Sequence, residues 1–103
     1  MAIKIKELPI SERPYEKLEM YGENSLKTVE LLAIIIKTGT KDKNAIEVAK
    51  EILKLGINDK NLYFLSEISL KDLKKIPGIG RVKAIQIKAI VELSKRIYKT
   101  QNI

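Results

Sequence analysis

A stretch of backbone, more than any reactive side chain, is the part of this sequence best placed to do chemistry. It lies within Leu73-Lys74-Lys75-Ile76-Pro77-Gly78-Ile79-Gly80-Arg81-Val82-Lys83-Ala84-Ile85-Gln86-Ile87. Pro77 stops one helix, since it cannot continue the hydrogen-bond ladder. Gly78 and Gly80 permit conformations and close approaches that a side chain would obstruct, while Ile79 between them can plug the turn into a core. A helix opening near Arg81 then leaves its first amides without intrahelical acceptors, at the end where the peptide dipoles favour negative charge. Such amides hold phosphate without help from any side chain. Arg81 and Lys83 sit in the same first turn, where acidic residues would suit the dipole better. Each mismatch costs about 0.3 to 1 kcal/mol, which the fold tolerates and an incoming anion would offset. The competing reading is a Pro-Gly turn that only packs two helices together. The agreement of the proline, both glycines, the flanking hydrophobes and Ala84 favours the anion site.

The side-chain inventory excludes most other chemistry. Cysteine and histidine are absent, which removes disulfides, thiol nucleophiles, zinc-thiolate sites and imidazole catalysis. Metal chemistry would rest on carboxylates alone, and these are scattered over helix faces that read as solvated, so no metal site, no cofactor and no enzyme activity is expected. No apolar run reaches the roughly 18 to 20 residues of a membrane span. Met1 to Ile10 alternates charge with isolated hydrophobes instead of building a signal-peptide core. A cytoplasmic protein with no membrane partner is therefore expected.

Charge is distributed unevenly. Residues 1 to 70 hold 11 Lys or Arg and 11 Asp or Glu, whereas residues 71 to 103 hold nine basic residues against Asp72 and Glu92, so the whole net charge of +7 lies in the last third. A lysine-rich surface can serve solubility alone. Concentration around one motif favours a polyanionic partner.

The elements that must position the motif are helices. With 45% apolar and 32% charged residues in 103, the chain has the balance of a single folded domain. Five main helices and a short connector can be read, in an all-α fold. The first starts at Pro14 and stops at Gly22. The second is capped by Ser25, carries Leu26, Val29, Leu32, Ala33 and Ile36, and stops at Gly39. The third, from Asn44, turns Ala45, Val48, Ala49 and Ile52 inward and stops at Gly56. Asn61 to Glu67 forms the connector, with Leu62, Phe64, Leu65 and Ile68 as core residues. Ser69 and Asp72 make a capping box for a short helix through Leu73 to Ile76. The last helix runs from Arg81 to Tyr98 with an apolar stripe of Val82, Ile85, Ala89, Ile90, Leu93 and Ile97, opposite Lys88, Glu92, Lys95 and Lys99. Residues 1–12 read as an N-terminal arm and 100–103 as the start of a linker.

A second, degenerate copy of the turn lies upstream. Thr38-Gly39-Thr40-Lys41, followed by Ala45 and Val48, repeats the spacing from Gly78 to Ala84 and Ile87, and Ile34 matches Leu73. Lys41 replaces the second glycine and Thr38 the proline. An ordinary glycine helix stop explains this segment equally well.

Leu73 to Ile87 resembles the helix-hairpin-helix motif shared by many DNA repair and recombination proteins. In that family the Gly-hydrophobic-Gly hairpin binds phosphates through its amides without reading sequence. The resemblance implies backbone contacts at Gly78, Ile79 and Gly80 with side-chain help from Arg81 and Lys83, and no cofactor. Many members carry a lysine where this chain has Val82. If both copies are real, the domain resembles a tandem helix-hairpin-helix fold, and its partner is duplex or junction DNA gripped by Gly78 to Lys83 and, from the first hairpin, by Thr38 to Lys41.

A wider resemblance covers nearly the whole chain. Ile5-Lys6-Glu7-Leu8-Pro9, Glu12-Arg13-Pro14-Tyr15-Glu16-Lys17-Leu18, Leu31-Leu32-Ala33-Ile34 with Lys37-Thr38-Gly39-Thr40, and Ile76-Pro77-Gly78-Ile79-Gly80 with Lys83-Ala84 resemble the N-terminal region of bacterial RadC-like proteins. In that family a C-terminal JAB/MPN-type metallo-domain follows, so the resemblance implies a piece of a longer protein or a natural short form, and it carries a DNA repair label.

Two other functions compete. Some DNA glycosylases contain the same hairpin and resemble each other in placing a catalytic aspartate beyond it, but nothing acidic follows Glu92 here. The stronger rival is a protein-interaction or scaffold module regulating the C-terminal metallo-domain, with the hairpin purely structural. The five aromatics are dispersed, which disfavours a stacking platform for single strands.

Overall fold

The computed structural model describes residues 3–56 and 61–101, and among these every regular element is a helix. Helix α1 spans Pro14–Tyr21, α2 Thr28–Ile36, α3 Ala45–Leu53, α4 Phe64–Glu67, α5 Leu70–Lys74 and α6 Arg81–Gln101. Pro14 opens α1 at its first position, where the missing amide hydrogen is harmless, and Gly22 closes it at φ +87°. Helix α3 carries a complete capping box: Asn44 Oδ1 accepts the Glu47 amide at 2.9 Å, and Glu47 returns a carboxylate oxygen to the Asn44 amide at 3.1 Å.

Two helix pairs form the body, α2 against α3 and α5 against α6, with α6 also lying on α2 and α4. Their shared core contains Leu32, Ala33 and Ile36 from the first helix of the body. Ala45, Val48, Ala49 and Ile52 come from the second, Leu73, Ile76 and Ile79 from the α5 region, and Ala84 and Ile87 from α6. Each fully buried Leu or Ile contributes about 1.5 to 3 kcal/mol, which is why the pairs hold although α4 and α5 are too short to stand alone. The N-terminal arm wraps this body in two 3-10 turns, Ile5–Glu7 and Ile10–Glu12. It is fastened by Arg13, whose guanidinium donates to the carbonyls of Leu8 at 3.0 Å and Lys6 at 2.6 Å. Asn44 secures the other end by donating to the Ile3 carbonyl at 2.8 Å.

Several sequence expectations require correction. Ser25 does not cap α2: its hydroxyl donates to the Gly22 carbonyl in a 3-10 turn, and Glu30 instead accepts the Lys27 amide at 2.8 Å. Helix α2 stops at Ile36, ahead of Gly39, because Lys37 takes φ +74°. Only half of the Ser69 box forms. The Ser69 hydroxyl accepts the Asp72 amide at 3.0 Å, while the Asp72 carboxylate turns to Lys75 at 3.4 Å. Leu62 is exposed where a core role was expected. Lys88 leaves the polar face to cap α4, donating to the carbonyls of Leu65 and Ser66. Helix α6 continues through Gln101, beyond the expected end at Tyr98, so residues 100 and 101 are helical, while 102 and 103 lie outside the described residues. The largest correction concerns which face of α6 is buried. Ala84 and Ile87 enter the core with Val91 against it, whereas Val82, Ile85, Ala89, Ile90, Leu93 and Ile97 face outward.

Candidate nucleic-acid interface

The hairpin between α5 and α6 is a tight turn in which the two glycines do different work. Its entry is fixed by the Ile79 amide donating to the Ile76 carbonyl at 2.9 Å, and the Ile79 side chain is buried in the core. Gly78 adopts φ +97°, and a Cβ there would meet Thr40 Cγ2 at 2.8 Å and Val48 Cγ2 at 3.4 Å. The fold itself therefore demands glycine at 78. Gly80 has no such constraint. Its φ is not left-handed, and a Cβ built on it would meet nothing within 4 Å.

Gly80 is the N-cap of α6, since its carbonyl accepts the Ala84 amide at 3.0 Å. Having no side chain, it caps nothing in return. Among the described residues, the amides of Gly80, Arg81, Val82 and Lys83 donate to no protein acceptor, and no acidic residue occupies the first turn. This is an uncapped positive helix end, open to solvent. The Arg81 side chain is exposed beside it and makes no ion pair among the described residues. Lys83 reaches across to the first hairpin, donating to the Thr38 carbonyl at 2.7 Å and the Thr38 hydroxyl at 2.9 Å.

The loop between α2 and α3 lies beside this turn but is internally bonded. After Lys37, the Thr38 amide donates back to the Ile36 carbonyl at 2.9 Å in a γ-turn. Gly39 is required because a Cβ would overlap the Lys43 carbonyl oxygen. The Thr40 amide donates to that carbonyl at 2.7 Å, and the Thr40 hydroxyl accepts the amides of Asp42 and Lys43. The α3 terminus beyond is occupied by its own capping box. The two hairpins thus differ in backbone, with positive φ at Lys37 in the first and at Gly78 in the second, and in chemistry: in the first, the Asn44 and Glu47 side chains already serve the helix terminus, and in the second nothing does. What the first loop offers is charge. Together with the N-terminal arm it walls a cavity of about 450 Å³ whose rim includes Lys4, Lys37, Lys41 and Lys43.

Two carboxylates are perturbed. Partial burial pushes Glu30 upward, but its bond from the Lys27 amide and the nearby Lys17 ammonium at 3.1 Å outweigh this and hold it below the ordinary glutamate value. Hydrogen bonding and charge from Lys43, at 2.8 Å, with help from Lys54, hold Glu51 below it as well. Among the described residues no group of three or more Asp, Glu, His or Cys is placed to hold a metal ion, and no helix is long and apolar enough to cross a membrane.

The structure therefore brings both candidate segments, Gly78 to Lys83 and Thr38 to Lys41, onto adjoining turns. The link that sequence reasoning missed is Lys83 to Thr38. The repeated spacing of the two turns was the signal that could have found it, since neighbouring pseudo-equivalent hairpins must touch.

The fold and site define an all-helical double-hairpin domain with one uncapped hairpin terminus. Residues 5–85 match the family model described as UPF0758 N-terminal, and the chain belongs to the UPF0758 family, the one to which the RadC-like resemblance points. A UPF0758 protein of Alkaliphilus oremlandii is 46% identical over 101 residues, covering 98% of this chain and 43% of the relative. UPF0758 protein YsxA of Bacillus subtilis is 42% identical over 102 residues, covering 99% of this chain and 43% of its own length. A relative from Clostridium botulinum is 46% identical over 101 residues. The chain thus spans about two-fifths of the length of these curated relatives. No solved structure matches it.

Proposed function

We propose that this domain is a DNA-binding module that contacts backbone phosphates without reading sequence, as the DNA-contacting part of a RadC-like, repair-associated protein. The observation that supports it best is Gly80. Neither backbone conformation nor packing explains a glycine there, yet its lack of a side chain leaves four consecutive amides open at a helix N-terminus. A phosphate oxygen fits that gap, where the dipole and the Arg81 guanidinium add favourable charge. In this reading Gly78 and Ile79 shape the turn, with the Ile79 amide held internally. Lys83 holds the two hairpins in register while adding positive charge, and Thr38 to Lys41 with their neighbouring lysines meet a second stretch of backbone. Such a surface suits duplex or junction DNA, because it presents no row of exposed aromatic rings for stacking bases.

The test is an amide chemical-shift titration with a short duplex at roughly 0.1 M salt, where long-range attraction is already screened, repeated with a single strand. Shifts concentrated at Gly78 to Lys83, with a smaller set at Gly39 to Lys41 and a preference for the duplex, are the expected result. Absent shifts, or shifts spread evenly over all lysines, would reduce the hairpin to a packing element.

A further inference from the structure

Helix α6 carries apolar residues on two opposite faces. At about 100° per residue, Ala84, Ile87 and Val91 share one face and Val82, Ile85, Ala89, Leu93 and Ile97 the reverse. The first face enters the core. On the second, Val82, Leu93 and Ile97 are 60%, 58% and 59% exposed. Beyond Val91 every described residue of the helix is exposed, so residues 92–101 carry the helix about 15 Å past its last core-facing residue. A contiguous apolar strip along so exposed a stretch of helix is the mark of a surface that becomes covered.

The relatives identify what lies next to that surface. They are more than twice as long as the matched region, and the family model matched here is the N-terminal one. In those proteins the remaining polypeptide therefore follows the segment equivalent to α6. We propose that the outward strip of α6 is the docking ridge for the polypeptide that follows this domain in the longer UPF0758 proteins. Docking within one polypeptide is intramolecular, so a modest apolar contact is enough to hold it. Charge argues against a second copy of this domain as the occupant. Along the strip Arg96 is paired with Glu92 at 3.2 Å, which leaves Arg81 and Lys99 as its uncompensated charges, so two copies would set net positive edges together, whereas an apolar surface edged with carboxylates would complement it. Because Val82 stands between Arg81 and Lys83, an occupant reaching the near end of the ridge borders the hairpin turn. The inference does not depend on the hairpin binding DNA.

Amide hydrogen exchange, without DNA, tests it on two proteins: the 103-residue chain, and the same chain continued by the polypeptide that follows the matched region in the Alkaliphilus oremlandii relative. Amides of α2 and α3 report in both whether the body is folded. The expected result is protection of residues 92–101 that rises by about tenfold or more in the longer protein, and that Leu93→Glu with Ile97→Glu removes while α2 and α3 stay protected. Equal exchange in the two proteins, with the body folded, would overturn the proposal. So would protection already present in the 103-residue chain together with a concentration-dependent mass in sedimentation, which would assign the ridge to a second copy.

Discussion

The Lys83 ammonium donates to the Thr38 carbonyl at 2.7 Å and to the Thr38 hydroxyl at 2.9 Å, joining residues 45 apart in sequence across two hairpin turns. The bond fixes the distance between the α6 terminus and the α2–α3 loop. Lys83→Met keeps most of the aliphatic stem and removes the donors. It should cost about 0.5 to 1.5 kcal/mol in denaturant unfolding, the range for an ordinary hydrogen bond, because solvent at this exposed site screens the added strength of the charge. Thr38→Val should cost less than Lys83→Met, because the carbonyl acceptor survives. Equal losses would show that the hydroxyl, and not the carbonyl, carries the link.

The two hairpin glycines should separate stability from binding. Gly78→Ala forces a side chain into φ +97° and against Thr40, and should destabilise by about 2 kcal/mol or more. Gly80→Asp meets no such obstacle, and its carboxylate can cap the free amides of α6. Thermal unfolding should show stability unchanged or raised by a few tenths of a kcal/mol, while DNA affinity falls sharply because the carboxylate occupies the place proposed for phosphate. Retained affinity in a stable Gly80→Asp protein would remove the hairpin from the binding site.

How much of this was legible in the sequence depends on the range of the interaction. The helical class and both turns follow from Pro77, Gly39, Gly78 and the capping of α3 by Asn44, all of them local signals. The N-terminus of α2 was misread because Ser25 has two uses for its hydroxyl, and only the neighbouring Gly22 turn decides between them. The orientation of α6 was not legible, since periodicity places Ala84, Ile87 and Val91 on one apolar face and Val82, Ile85 and Leu93 on another. Contacts with α2, α4 and α5 choose between them. Likewise, sequence treats the two hairpins as strong and weak copies of one motif. The difference in free amides emerges only once Thr40, Asn44 and Glu47 are seen bonding to the first loop.

Glu30 makes a specific prediction about acid. Its folded value lies below the ordinary one, so its charge stabilises the fold fully above the unfolded glutamate value of about 4.3. That contribution is lost as the pH falls through the lower folded value. Glu30→Gln, which can still accept the Lys27 amide, should therefore be less stable than the parent by about 0.5 to 1 kcal/mol near neutral pH. The gap should close as acid protonates Glu30 in the parent. A gap independent of pH would mean the substitution acts through packing and not through charge.

Salt dependence distinguishes placed phosphate contacts from diffuse attraction. Each neutralised phosphate contributes about 0.9 to the log-log slope of affinity against salt, so one or two hairpins should give a slope of roughly 2 to 4. Arg81 stands beside the open amides without a protein partner among the described residues, and Arg81→Ala should lower the slope by about one as it weakens binding. Lys99 lies near the far end of α6, some 27 Å along the helix from Arg81 at 1.5 Å per residue, and Lys99→Ala should leave the slope nearly unchanged. Equal effects of the two substitutions would mean that DNA reads the charge of the whole helix and not the hairpin at its start.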